Sequence, residues 1–126
     1  MNAALVAAGA LSVGIGAAHS YLGERYILIR LLRRSDLPQL FGSDQFTRRT
    51  LRFAWHLTTV AWWGLGALFV VMAGIPPGTE AWRQALWVGM GTFGASAVVT
   101  GVGSRGRHLA WVVFALIVAA LWLGMR

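Results

Sequence analysis

Three histidines and one glutamate are the residues of this sequence that could do chemistry within an otherwise apolar chain. His19, Glu24, His56 and His108 all fall near the arginine-rich ends of apolar stretches. Imidazole is the commonest side-chain metal ligand, and a nearby carboxylate can ligate directly or orient an imidazole. Two facing histidines could hold haem iron, and three with a carboxylate could hold zinc, copper, nickel or iron. A histidine–carboxylate pair could instead relay protons.

Depth and helical face decide which of these side chains can meet. At 1.5 Å per residue, His56 lies about 6 Å inward of Arg52, and His19 lies about 7–8 Å inward of Glu24. The two imidazoles therefore have similar depth on adjacent antiparallel helices, and we expect that they can meet. Glu24 lies about 140° from His19 around an ideal helix, so it is expected to neutralise an arginine across the hairpin. The candidate arginines are Arg48, Arg49 and Arg52.

Each of the four residues also has a purely structural interpretation. His19 and His56 could hydrogen-bond a neighbouring helix, and His108 beside Arg107 is typical of an interfacial position. The sequence contains no HExxH, nucleophile elbow, phosphate loop or EF-hand pattern. It contains no cysteine, which excludes a disulfide scaffold, a thiolate metal site and thiol catalysis. Whether the chain is an enzyme stays open at this point.

The composition indicates what positions these residues. The chain has 126 residues, of which 57% are hydrophobic and only 12% are charged. A soluble domain this small is mostly surface and could not hide that much apolar area. Four apolar stretches approach the about 20 residues that cross a bilayer, and none has a charged residue in its interior. We predict an all-α fold, a single four-helix antiparallel transmembrane bundle over residues 1–126, with spans at about 3–22, 53–75, 84–103 and 109–125.

The arginines predict the orientation of this bundle. Nine of the eleven lie in segment 25–52 or between the third and fourth spans, and arginine-rich loops face the cytoplasm. Segment 25–52 is therefore expected to be cytoplasmic and both termini extracytoplasmic. This topology accounts for the net charge of +7 without nucleic-acid binding. Small size, basicity from arginine alone and the lack of a targeting segment favour a multi-pass protein of the bacterial inner membrane.

Two further groups of residues suggest contacts with lipid and with other helices. Arginines near the membrane surface could bind anionic headgroups of the inner leaflet, although orientation and anchoring alone also explain them. They are Arg30, Arg33, Arg34, Arg48, Arg49 and Arg52. Residues 26–34 could extend the first helix or lie flat on the leaflet. Gly89, Gly94 and Gly101 in the third span predict close helix packing, which would suit a homo-oligomer.

Two functions remain open from the sequence. The first is a site of His19, His56, His108 and Glu24 near the cytoplasmic face, binding a transition metal or haem for transport or membrane redox work. The alternative is a non-enzymatic oligomeric channel or transporter subunit, or an accessory module of a membrane complex, with structural or proton-relaying histidines. Loss of ligand in His19→Ala and His56→Ala would favour the first. Loss of assembly with a large residue at Gly94 or Gly101 would favour the second.

Overall fold

Four helices and no β-strand make up the computed structural model, which describes residues 1–126. Helix α1 spans Ala3–Leu31, α2 spans Gln45–Ala73, α3 spans Glu80–Gly103 and α4 spans Ala110–Met125. The all-helical class is therefore confirmed. Helices α1, α2 and α3 are long and apolar enough to cross a membrane. Helix α4 has 16 residues, fewer than the about 20 that a crossing normally takes, so three candidate spans stand where four were predicted.

Two helices extend well beyond their predicted bounds at the arginine-rich end. Helix α1 continues from the predicted end at residue 22 to Leu31, and α2 begins at Gln45 instead of residue 53. The apolar runs mark only where a helix could enter lipid, whereas backbone hydrogen bonds continue through the polar residues that follow. Of the two alternatives for residues 26–34, the structure shows the extended helix as far as Leu31.

The extension of α1 includes one wide turn. Residues Glu24–Leu28 wind as a π-helix, and the N–H of Ile29 donates to the carbonyl of Glu24. A π turn inserts an extra residue per turn and so changes the face that the following side chains present. Gly23 directly precedes this turn. The helix therefore changes its winding at the depth where the candidate functional residues lie.

The helices are antiparallel neighbours in the order α2, α1, α4, α3. Asn2 joins the start of α1 to two other helices, because its N–H donates to the carbonyl of Ala73 at 2.8 Å and its side-chain amide donates to that of Gly124 at 2.7 Å. Its Oδ1 also accepts the N–H groups of Ala4 and Leu5 and so caps α1. Both termini and loop 74–79 therefore lie at one end of the bundle, which we call the terminal end.

The opposite end carries the loops 32–44 and 104–109, and we call it the basic end. Nine of the eleven arginines and three of the four carboxylates belong to these loops or the adjoining helix turns. The core is concentrated between the middle of the bundle and the terminal end. Three aromatic rings of the core pack in a row. The ring centroids of Phe69 and Phe93 are 6.1 Å apart, and those of Phe93 and Phe114 are 5.9 Å apart. Toward the basic end the packing is looser, which leaves room for a cavity.

Candidate functional site

His19 and Trp55 form a reciprocal pair between α1 and α2. The Nε2–H of His19 donates to the carbonyl of Trp55 at 3.3 Å, and the indole N–H of Trp55 donates to the carbonyl of His19 at 3.1 Å. The two rings stack with centroids 4.6 Å apart and planes 4° from parallel. Trp62 meets the His19 ring edge-on at 5.1 Å. The imidazole is thus held in one orientation from two sides.

Small residues on α1 make this close approach feasible. A Cβ atom at Gly23 would collide with the indole of Trp55, and one at Gly16 would lie 2.8 Å from the indole nitrogen of Trp63. Glycine is required at such positions because the neighbouring helix places a large ring directly on the backbone. Gly16 and Gly23 therefore each admit a tryptophan of α2.

A cavity of about 750 Å³ opens beside this pair at the basic end. His19 and His108 both line it, together with aromatic and apolar side chains from α1, α2 and α4 and hydroxyl groups of α2 and α3. Trp55, Trp62 and Tyr26 supply the aromatic walls, and Thr58 and Thr100 supply the hydroxyls. The volume falls within the range of about 300–1,000 Å³ that small-molecule sites occupy. An apolar chamber with a few polar groups is the usual form of such a site.

The two imidazoles in this cavity have opposite hydrogen-bonding roles. Nδ1 of His108 accepts the N–H of Ala110 at 3.2 Å, at the start of α4. In the neutral ring the proton of His108 is then on Nε2, which is free to donate. His19 already donates its Nε2–H to Trp55, so its Nδ1 carries a lone pair that has no partner within the chain. The two histidines that line the cavity therefore have one free donor, Nε2–H of His108, and one free acceptor, Nδ1 of His19.

A second polar cluster crosses the α1–α2 interface outside this cavity. Glu24 accepts from Arg52 at 3.0 Å and lies 3.4 Å from Nε2 of His56. Nδ1 of His56 is 2.8 Å from the Ser20 hydroxyl, which is 2.7 Å from the hydroxyl of Thr59. Thr59 is buried and donates to the carbonyl of Gly16 at 3.1 Å. A continuous chain of hydrogen bonds thus runs from the exposed Arg52 into the bundle.

Each hydroxyl in this series of hydrogen bonds has a single proton, which determines the donor and the acceptor of each bond. Because Thr59 donates to Gly16, Ser20 must donate to Thr59, and Nδ1–H of His56 must donate to Ser20. Nε2 of His56 lies 3.4 Å from the Glu24 carboxylate on the other side of the ring. This series of hydrogen bonds ends at the backbone carbonyl of Gly16. Its hydroxyl groups can reorient, but the series offers no group beyond that carbonyl to which a proton could pass.

His19 and His56 have different hydrogen-bond partners in the structure, and no hydrogen bond joins the two imidazoles. Residues 19 and 20 point about 100° apart on α1, so the helix turns His19 toward Trp55 and Ser20 toward His56. His108 shares the cavity with His19 and lies apart from Glu24. No group of three histidine, aspartate or glutamate side chains is placed where it could hold one metal ion. Glu24 does pair with Arg52, one of the three arginines expected for it.

The remaining arginines divide into paired and unpaired side chains. Arg34 binds Asp36, and Arg48 binds Asp44. Hydrogen bonds from these arginines hold the pKa of both aspartates below the usual value, that of Asp36 at about 2. Six arginines of the basic end have no acidic partner. They are Arg25, Arg30, Arg33, Arg49, Arg105 and Arg107.

The three glycines named for packing in α3 have different surroundings. A Cβ atom at Gly89 would lie 2.8 Å from the ring of Phe69, so this glycine admits a ring of α2. At Gly101 the nearest atoms belong to Trp111 at 3.7 Å, an ordinary contact distance. Nothing lies within 4 Å of a Cβ at Gly94. Of these three glycines, only Gly89 is therefore required for close helix packing within one chain.

The sequence analysis identified the histidines and Glu24 as candidates but did not predict most of the side chains that contact them. It gave no role to Ser20 and Thr59, whose hydroxyls lie between His56 and the carbonyl of Gly16. It gave no role to Trp55 and Trp62 beside His19, because a tryptophan near a helix end is equally typical of a membrane interface. In comparisons with protein-family models, curated proteins and solved structures, nothing matches this chain.

Proposed function

We propose that the protein is a multi-pass protein of the bacterial inner membrane with its basic end in the cytoplasm. The length and apolar character of α1, α2 and α3 support insertion, and the arginine distribution supports this orientation. Helix α4 is included as a fourth span. It lies antiparallel to α1, and contacts at its two ends, Gly124 with Asn2 and Trp111 with Gly106, join it to both ends of the bundle. Both termini are then extracytoplasmic.

We further propose that the cavity at the basic end binds a lipid-soluble molecule with a flat ring that carries oxygen groups, of the quinone–quinol kind. The observation that carries this proposal is the pair of imidazoles with opposite roles in one aromatic cavity. In the quinol form, the oxygen of one ring hydroxyl would accept from Nε2–H of His108 and the other hydroxyl would donate to Nδ1 of His19. In the quinone form, a ring carbonyl would accept from Nε2–H of His108. The indoles of Trp55 and Trp62 provide flat walls against which such a ring can stack.

The same geometry explains why a bare metal ion is the weaker candidate. A metal needs lone pairs, and His108 could offer one at Nε2 only by moving its proton to Nδ1, which would break the bond from Ala110. His19 alone keeps a free lone pair, and its Nε2–H donates to a carbonyl as in many metal-ligating histidines. Haem bound through His19 is therefore the second candidate for the cavity.

One purification distinguishes these ligands. The protein is isolated in mild detergent without a chelator, its absorption spectrum is recorded, and an organic extract is analysed by mass spectrometry. The proposal predicts a quinone in the extract of the wild type, and at least a tenfold loss in His19→Ala and in Ala18→Phe, which fills the cavity. His56→Gln, which removes an imidazole outside the cavity, is the control and should retain the ligand.

Two results would contradict the proposal. A Soret band that disappears in His19→Ala would establish haem in place of a quinone. An extract without quinone, together with no uptake when short-chain quinones are added to the purified protein, would leave the cavity without this role. The histidines would then be structural, as in the alternative of a channel subunit or accessory module.

A further inference from the structure

A groove on the outer surface of α2 combines positive charge with an apolar strip. Its volume is about 660 Å³, and it is distinct from the cavity that contains His19. Arg48, Arg49, Arg52 and His56 line its polar part. The residues come from the first turns of α2, which face the basic end. The groove therefore begins where the proposed membrane surface would lie.

The polar part of this groove has an unbalanced positive charge. Arg48 is neutralised by Asp44 and Arg52 by Glu24, whereas Arg49 is exposed and has no acidic partner. An anion at this position would contact Arg49 without displacing an existing ion pair. Phosphate is the matching group, since arginine can bind two of its oxygens at once.

The apolar part continues from these charges along the same helix. Phe53, Leu57 and Val60 line it and follow one another at helical spacings of four and three residues, so they form one stripe. Their side chains are exposed at 55%, 57% and 60%. The stripe runs from the basic end toward the middle of α2, which is one of the candidate membrane spans. An acyl chain could lie along it.

We propose that this groove binds one anionic phospholipid, with the phosphate at Arg49 and an acyl chain along Phe53, Leu57 and Val60. The proposal rests on the membrane location given above but is independent of what occupies the cavity. Cations alone would attract any anionic surface, and an apolar stripe alone would face any lipid. Their continuity within one groove points to a single bound molecule with both features, and a phospholipid of negative charge has both.

The test is a lipid titration by native mass spectrometry of the full chain in mild detergent. Phosphatidylglycerol is the probe, and phosphatidylcholine is the zwitterionic comparison. Arg49→Gln should weaken phosphatidylglycerol binding about fivefold, the effect of losing about one charge interaction with an anionic lipid. Arg33→Gln removes another unpaired, exposed arginine from the same end of the molecule but outside the groove, and should change binding less than twofold.

A second pair of variants tests the apolar part. Leu57→Gln should weaken phosphatidylglycerol binding by severalfold, whereas Val99→Gln, at a more exposed apolar site on α3, should not. Equal losses in Arg49→Gln and Arg33→Gln would overturn the proposal, because the attraction would then belong to the whole basic end. Complete displacement of the lipid by inorganic phosphate would also overturn it, because the groove would then recognise phosphate alone.

Discussion

Ser20 illustrates how much of the site depends on one small side chain. Its hydroxyl bridges His56 and Thr59 across the α1–α2 interface, at 2.8 and 2.7 Å. Ser20→Ala removes both contacts and leaves two partners without their bond. We expect a loss of about 1–2 kcal/mol in the free energy of unfolding, measured by denaturant titration in detergent.

Ser96→Ala is the matched control for this change. The Ser96 hydroxyl donates only to the carbonyl of Thr92 in its own helix, so its removal should alter stability by less than about 0.5 kcal/mol. Equal losses for the two serines would show that the Ser20 bridge contributes nothing beyond a local bond.

Asp36 provides a pH-dependent test in the loop at the basic end. The Arg34 side chain donates to its carboxylate, with the Nε contact at 2.8 Å, and holds the pKa of Asp36 at about 2 instead of 3.8. Because the folded pKa is the lower one, the pair stabilises the loop above about pH 4 and loses this effect as the pH falls through about 2. Arg34→Gln should return the pKa to about 3.9. Carboxyl-carbon NMR during an acid titration measures both values, and a wild-type Asp36 that titrates near 3.9 would contradict the pairing.

At the residue scale, helical periodicity alone was sufficient to predict part of the site. The pairing of Glu24 with an arginine across the hairpin followed from its face, and Arg52 is that partner. The stacking of His19 on Trp55 could not be predicted in the same way. It depends on Gly23, whose missing side chain admits the indole, and on the rotation between α1 and α2, which no single-helix pattern specifies.

At the scale of the elements, the contact between α1 and α2 is a close backbone approach. A Cβ atom at Gly9 would lie 2.6 Å from Cγ2 of Val70 and 2.8 Å from the carbonyl oxygen of Gly66. Gly9→Ala should therefore force the helices apart and destabilise the protein by about 1–3 kcal/mol. Gly14 lies on the same helix with nothing within 4 Å of a Cβ position.

Gly14→Ala is accordingly the control for the helix contact. It should be neutral or stabilise by up to about 1 kcal/mol, because alanine favours the helix and meets no neighbour. Thermal unfolding followed by circular dichroism compares the two variants. A Gly9→Ala protein as stable as Gly14→Ala would show that the two backbones are not in close contact.

The helix bounds show which features of an element a sequence can specify. The apolar runs predicted the number and order of the helices, because a run near 20 residues long is a direct property of composition. The continuation of α1 to Leu31 and the early start of α2 at Gln45 lie in arginine-rich sequence, where apolar length carries no information. The π turn at Glu24–Leu28 had no recognisable signal either.

At the scale of the whole molecule, the two ends of the bundle should face opposite sides of the membrane. The chain has no cysteine, so a single introduced thiol reports on one position. Ser35→Cys lies in the loop of the basic end, and Pro77→Cys lies in the loop of the terminal end, and both positions are exposed. A membrane-impermeant thiol reagent should label Pro77→Cys in intact cells and Ser35→Cys only after the membrane is opened. Labelling in the reverse order would contradict the proposed orientation.

A quinone titration measures whether the cavity beside His19 binds a flat, oxygen-bearing ligand. Trp55 and Trp62 line the cavity, so a bound quinone should quench their fluorescence. The proposed site should give saturable quenching by a short-chain quinone with one site per chain, retained in His56→Gln and lost in both His19→Ala and Ala18→Phe. Quenching that rises linearly with quinone concentration and is the same in all four proteins would contradict it.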